Sequence, residues 1–194
     1  MSDASGTVLL GVTGGIAAYK AADLASRLRQ SGLNVITVMT AAAQKLITPL
    51  TFEYITNNPV VTDLWSKAQA RSPDHIAISE KAEVAVIAPA TANIIGKLAN
   101  GIADDALTTI IMAFRKPLII APAMNQKMYE SPALQENLER LRQRGVKQIG
   151  PDEGWLACGT TGIGRMAEGS EILEAVFNQL GLQTSRRLST RGEK

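Results

Sequence analysis

Four short runs of apolar, largely β-branched residues, at 7–12, 35–39, 84–88 and 118–121, cross the chain without polar alternation. Strands that read this way are covered on both faces, as in a parallel sheet layered by helices. The stretches between them have helical period. In 16–31, Ala17, Ala21, Leu24 and Leu28 fall on one face and Gly32 follows as a stop. Leu134, Leu138 and Leu141 do the same in 132–144, which ends at Gly145 before a short strand at 146–149. A last helix at 171–180 aligns Ile172, Val176 and Leu180. The alternation predicts an α/β fold: a three-layer, Rossmann-like open parallel sheet with helices on both faces.

Composition narrows the function classes. The chain has 194 residues, 20 basic against 18 acidic, for a net charge of +2. That is too small to mark a nucleic-acid or membrane surface by bulk electrostatics. Residues 1–6 lack the basic and apolar regions of a secretory signal, and no stretch is long and apolar enough for a membrane span, so the expected location is the cytoplasm. One domain is expected over 1–182. The tail 183–194, with Arg186, Arg187, Arg191 and Lys194 among small polar residues, reads as a flexible extension or linker remnant. A single cysteine excludes an internal disulfide, and a single histidine excludes a Cys/His zinc cluster; no metal is expected.

In an open parallel sheet, ligands bind beyond the carboxyl ends of the strands. After the first strand comes Thr13-Gly14-Gly15-Ile16, opening into a helix. Glycines permit close backbone approach and the helix start offers unpaired N–H groups, which suits a phosphate; a plain tight turn is the alternative. The spacing is neither Gly-x-Gly-x-x-Gly nor a Walker pattern, and Met39-Thr40-Ala41 after the second strand lacks an acidic ribose partner. NAD and ATP are disfavoured, leaving a mononucleotide such as FMN. The third and fourth strands end alike, in Pro89-Ala90-Thr91-Ala92-Asn93 and Pro122-Ala123-Met124-Asn125, where each proline is expected to stop the sheet ladder. Two carboxamides would face one crevice, or each would cap the helix that follows. Repetition at equivalent strand ends favours a ligand. Asp104 and Asp105 read as a helix cap rather than an acid–base pair. His75 precedes a short helix, and a lone histidine is more often structural than catalytic. Cys158 sits in a glycine-rich segment, 155–166, expected to be a mobile or tightly turned loop of the kind that forms lids.

In this order the motifs resemble the homo-oligomeric flavin-containing cysteine decarboxylases over nearly the whole of 8–180, most closely the branch acting on 4′-phosphopantothenoylcysteine in coenzyme A biosynthesis. The resemblance implies the flavoprotein fold, FMN as cofactor, and a homotrimer or homododecamer. Gly14, Gly15 and Ile16 match the family's phosphate turn and Thr40 a hydroxyl facing the flavin. Ala90, Thr91, Ala92 and Asn93 fall in a Pro-Ala-Ser-Ala-Asn-Thr flavin motif, with Ala123 at the neighbouring strand end. Here Thr91 replaces serine, and Ile94 stands where the motif has threonine, so that hydroxyl contact is lost. Asn125 and Met128 match the substrate motif Pro-x-Met-Asn-x-x-Met-Trp, with Tyr129 in place of its tryptophan. Ala157, Cys158, Gly159 and Arg165 match the substrate-clamp loop, and His75 the catalytic histidine.

As the resemblance implies, the substrate's cysteinyl end is oxidised to a thioaldehyde β to the carboxylate and carbon dioxide leaves. The enethiolate that remains is then reduced, with FMN taking up and returning the electrons. On the same resemblance His75 is the base or electrostatic partner, Asn125 holds the carboxylate and Cys158 delivers the final proton. A phosphopantothenate-cysteine ligase, separate or formerly fused, is the expected partner enzyme. The alternatives are a peptidyl-cysteine decarboxylase, which needs no clamp cysteine, a flavin prenyltransferase, which would lack the Pro-Ala-Met-Asn segment, and a non-catalytic flavin-binding regulatory subunit.

Overall fold

The computed structural model describes residues 6–65, 75–157 and 159–182. The tail 183–194 and Cys158 lie outside the described residues. Five parallel strands form the central sheet: β1 (Thr7–Val12), β2 (Asn34–Met39), β3 (Val84–Ala90), β4 (Leu118–Pro122) and β5 (Lys147–Gln148), in the order β2-β1-β3-β4-β5. β3 is buried along its whole length, which accounts for its unbroken apolar reading.

Helices cover both faces. Helices α1 (Ala18–Gln30), α2 (Pro49–Thr56) and α8 (Gly169–Leu180) enclose one core with Val8, Leu10, Val84 and Val86. Helices α3 (His75–Lys81), α4 (Ala92–Asn100), α5 (Ala106–Ala113) and α7 (Pro132–Gln143) enclose the other with Leu9, Ala85, Ile87 and Ile120. Consecutive residues of β1 thus feed opposite cores, as the two-residue period of a strand requires. Leu24 and Leu28 of α1 are fully buried, each contributing about 1.5–3 kcal/mol of transfer free energy. The one-turn α6 (Gln126–Tyr129) follows β4, and an antiparallel hairpin, β6 (Asp152–Trp155) with β7 (Thr161–Arg165), stands apart from the main sheet.

Three local expectations change. Helix α1 starts at Ala18 rather than at 16, leaving residues 14–17 as a turn. Pro89 does not stop the ladder: β3 continues to Ala90, and its pairing with β4 shifts register between Ile87 and Ala90 before resuming at Ala90 and Pro122. A residue without an N–H is tolerated because the irregularity passes over it. The segment expected to be a loop is largely the β6–β7 hairpin, whose glycines and polar residues hide the alternating signature of strands. Among the described residues no helix is long and apolar enough to cross a membrane.

Candidate active site

The strand order reverses between β1 and β3, and the crevice beyond their carboxyl ends is where the glycine turn lies. Thr13, 2% exposed, ties the two strand ends together. Its Oγ1 donates to the Pro89 carbonyl at 2.6 Å and accepts the Thr91 N–H at 3.3 Å. Gly14 lies against Ala42, so closely that an added Cβ would overlap the Ala42 Cβ and come within 3.0 Å of its carbonyl carbon. Gly15 faces Pro89 and Thr91, where a Cβ would just fit at 3.4 Å.

Helix starts around this edge differ in a telling way. Helices α4, α5, α6 and α7 begin on side-chain caps: Thr91, Asp105, Asn125 and Ser131. Helix α1, which opens from the glycine turn, has neither a side-chain cap nor an acidic residue in its first turn, a lack it shares with α2. The Ala18 N–H is spent on Gly15 O at 2.9 Å, but the positive end of the α1 dipole faces the glycine turn and favours an anion there.

Asn93 is exposed in the first turn of α4 and does not cap it; Thr91 does, accepting from the Ile94 N–H at 3.4 Å. Asn125 is both half-buried and a cap: its Oδ1 accepts from the Lys127 N–H at 2.9 Å. Asp105 caps α5 with a reciprocal Thr108 bond, and Lys97 pairs with Asp104 at 2.7 Å and with Asp105 at 3.3 Å. The hydrogen bond from Lys97 holds the Asp104 carboxyl below the usual carboxylate range, and the same bond raises Lys97. Asp105 is therefore the helix cap its sequence context suggested, while Asp104 pairs with Lys97, and both border the cleft of His75.

His75 opens α3 and lines a cleft of about 760 Å³ with Met39, Thr40, Gln44, Trp65 and Thr109, a size suited to a small-molecule ligand. Thr40 Oγ1 also accepts from the Ala43 N–H at 3.3 Å. Helix α3 is held by buried Ile78 and by Lys116, whose Nζ donates to the carbonyls of Glu80 and Ala82 at 2.6 and 2.7 Å. The structure thus joins His75 to Thr40 but not to Asn125. They stand at opposite sides of the crevice, beside β2 and β4, with β1 and β3 between. Three strand spacings separate β2 from β4, about 14 Å.

The hairpin closes the far side. Gly164 O accepts from the Met124 N–H at 3.0 Å, so β7 abuts the residue before Asn125. Ala157, Gly159 and half-exposed Met128 lie open to solvent, while buried Leu156 anchors the hairpin tip by donating its N–H to Thr160 O at 2.8 Å. Arg165 folds across Gly154 and pairs with Glu168 at 3.2 Å, and Glu168 also meets Lys20 at 3.3 Å. Thr13, Gly162 and Gly164 escaped the sequence reading. Thr13 carried one readable signal, a hydroxyl at a strand end just before two glycines; the importance of the other two rests on contacts distant in sequence.

A crevice at the reversal of strand order 2-1-3-4-5 is where doubly wound sheets take a mononucleotide, and that defines the class of this fold. The flavoprotein family model matches residues 2–181, and the chain belongs to that family. It is 46% identical over 181 residues to the coenzyme A biosynthesis bifunctional protein CoaBC of Bacillus subtilis (strain 168), covering 93% of this chain and 45% of that protein. The chain therefore spans less than half the length of this relative. Among solved structures, a PPC decarboxylase with a cysteine-to-serine mutation, complexed with pantothenoylaminoethenethiol, superposes with a TM-score of 0.79 at 35% identity, covering 88% of this chain and 96% of that one. The FMN-dependent cysteine decarboxylase SpaF also gives 0.79, at 33% identity, covering 92% and 98%.

Proposed function

We propose that this chain is an FMN-dependent carboxy-lyase that converts 4′-phosphopantothenoylcysteine to 4′-phosphopantetheine in coenzyme A biosynthesis. The observation that carries the reading is the 46% identity to CoaBC across 93% of this chain. The match to a PPC decarboxylase holding an aminoethenethiol adds the kind of intermediate such a reaction passes through.

The residues present fit FMN. The uncapped start of α1 behind Gly14, Gly15 and Ile16 would take its phosphate, with Ala90, Thr91, Ala92, Asn93 and Ala123 on the neighbouring strand ends and Thr40 across the crevice. When bound, FMN supplies a two-electron acceptor that returns the same electrons, so the reaction has no net redox change. Asn125, whose Oδ1 accepts the Lys127 N–H, holds the substrate carboxylate on this reading. His75 acts as base or electrostatic partner during oxidation and decarboxylation. Cys158 delivers the proton that completes the enethiol's reduction. Met128, Ala157, Gly159 and Arg165 border the substrate.

The separation of His75 from Asn125 supports a site completed by a second copy of the chain, within a homotrimer or a larger homo-oligomer. A cytoplasmic location and a ligase that supplies the substrate, on the same or another polypeptide, belong to the same reading. Residues 1–182 act as one FMN-binding unit in it. The test offers FMN-loaded protein either 4′-phosphopantothenoylcysteine or a peptide ending in cysteine, and follows carbon dioxide and thiol products. Turnover of the first alone supports the proposal; turnover of the peptide alone, or of neither, overturns it. Cys158→Ser should still release carbon dioxide and stop at the enethiol.

A further inference from the structure

Asn125 caps a short element that is tied down at both ends. Helix α6 is four residues long and buries none of them. Its far end is held by Tyr129, which packs against the core and whose OH accepts from Gln148 Nε2 at 3.1 Å; its near end is set by two backbone bonds just upstream: the Ala123 N–H donates to Ala90 O at 3.1 Å, and the Met124 N–H donates to Gly164 O at 3.0 Å. The first ties the segment to β3, the second to the hairpin.

On β7, the buried positions are Gly162 and Gly164 alone. The ladder between β6 and β7 shifts between Asp152 and Glu153, which pair with Arg165 and Ile163, so Gly164 is the extra residue of a bulge. Such a bulge re-aims the backbone, and here the Gly164 carbonyl turns to Met124. A Cβ on Gly164, where φ is +144°, would run into the Met124 carbonyl oxygen, which belongs to backbone and has no way to yield. A Cβ on Gly162 would strike the side chain of Gln126, which can move. The residues on either side of Asn125 are therefore each seated on a bare glycine.

We propose that Gly164, supported by Gly162, is a positioning residue for Asn125, setting the carboxamide through the Met124 backbone without touching substrate or cofactor. The inference rests on the role given to Asn125 above. In the full FMN-loaded chain, Gly164→Ala should speed hydrogen exchange at the amides of Met124 and its neighbours while leaving FMN affinity unchanged. Because misplacement by about 1 Å costs on the order of 10²-fold, kcat/KM for 4′-phosphopantothenoylcysteine should fall about a hundredfold. Gly162→Ala should show a smaller loss, and adding Gln126→Ala should return it to the level of Gln126→Ala alone. Unchanged exchange at Met124 in Gly164→Ala overturns the proposal. So does equal loss of FMN binding and turnover, or full turnover by that variant. If the wild-type protein does not turn over this substrate, the functional reading fails, and the exchange data still decide the positioning role.

Discussion

The crevice between β1 and β3 and the hairpin β6–β7 border the same site but are held by different physics. The crevice stands on strands buried on both faces, with the Thr13 hydroxyl bonded across the gap. The hairpin has glycines at the buried positions of β7, half-buried or exposed residues at its other strand positions, and Trp155 69% exposed. A packed core resists displacement; a hairpin seated through backbone contacts yields at lower cost. On the proposed reading, the cofactor half is the better packed of the two and the substrate half the more easily displaced, as a clamp requires.

That contrast can be broken most sharply at the reacting groups. His75→Asn and Asn125→Ala should each cut turnover by about 10²–10⁴-fold with the flavin spectrum retained, measured by steady-state kinetics. Co-assembling the two variants should restore activity if one copy supplies His75 and another Asn125. A smaller effect is expected on the cofactor side. Gly14→Ala forces a Cβ onto Ala42, an overpacking cost of about 1–3 kcal/mol, and should weaken FMN binding roughly tenfold to a hundredfold in a fluorescence titration. Thr13→Val leaves the Pro89 carbonyl and the Thr91 N–H without their partner, and should lower stability by about 1–3 kcal/mol in denaturant unfolding.

The smallest effect is expected at the Lys97–Asp104 pair on the rim of the His75 cleft. Asp104 is lowered by the Lys97 hydrogen bond, so its contribution is present above the ordinary carboxylate range and fades as pH falls through the depressed folded value. Lys97 is raised chiefly by the same bond, so its contribution persists until pH climbs through the raised folded value. Asp104→Asn should therefore lower the thermal midpoint only slightly at pH 7, and the difference should shrink in high salt and in acid.

The four apolar runs name β1 to β4 because strands covered on both faces leave a local record in every residue. The glycine turn, the two Pro-Ala strand ends and the Asp105 cap were legible for the same reason, each being a short-range device, though the cap read at Asn93 falls to Thr91 instead. The sequence also marked Asn125 as either cap or ligand group. The structure makes it a cap, while the proposed function also gives it the substrate carboxylate. The β6–β7 hairpin was not legible, since a bulged, glycine-rich pair has no period to read. Nor was Pro89 inside β3, because a register shift is a property of two strands.

By itself, the sequence determined the layered α/β fold and the family and nominated residues for the chemistry, since burial, turn geometry and functional-group identity are set within a few positions along the chain. Tertiary structure alone decided that Thr13 joins β1 to β3, that His75 stands with Thr40 and apart from Asn125, and that Gly164 seats Met124. Each of those depends on the distance and direction between segments far apart in sequence, which only packing sets.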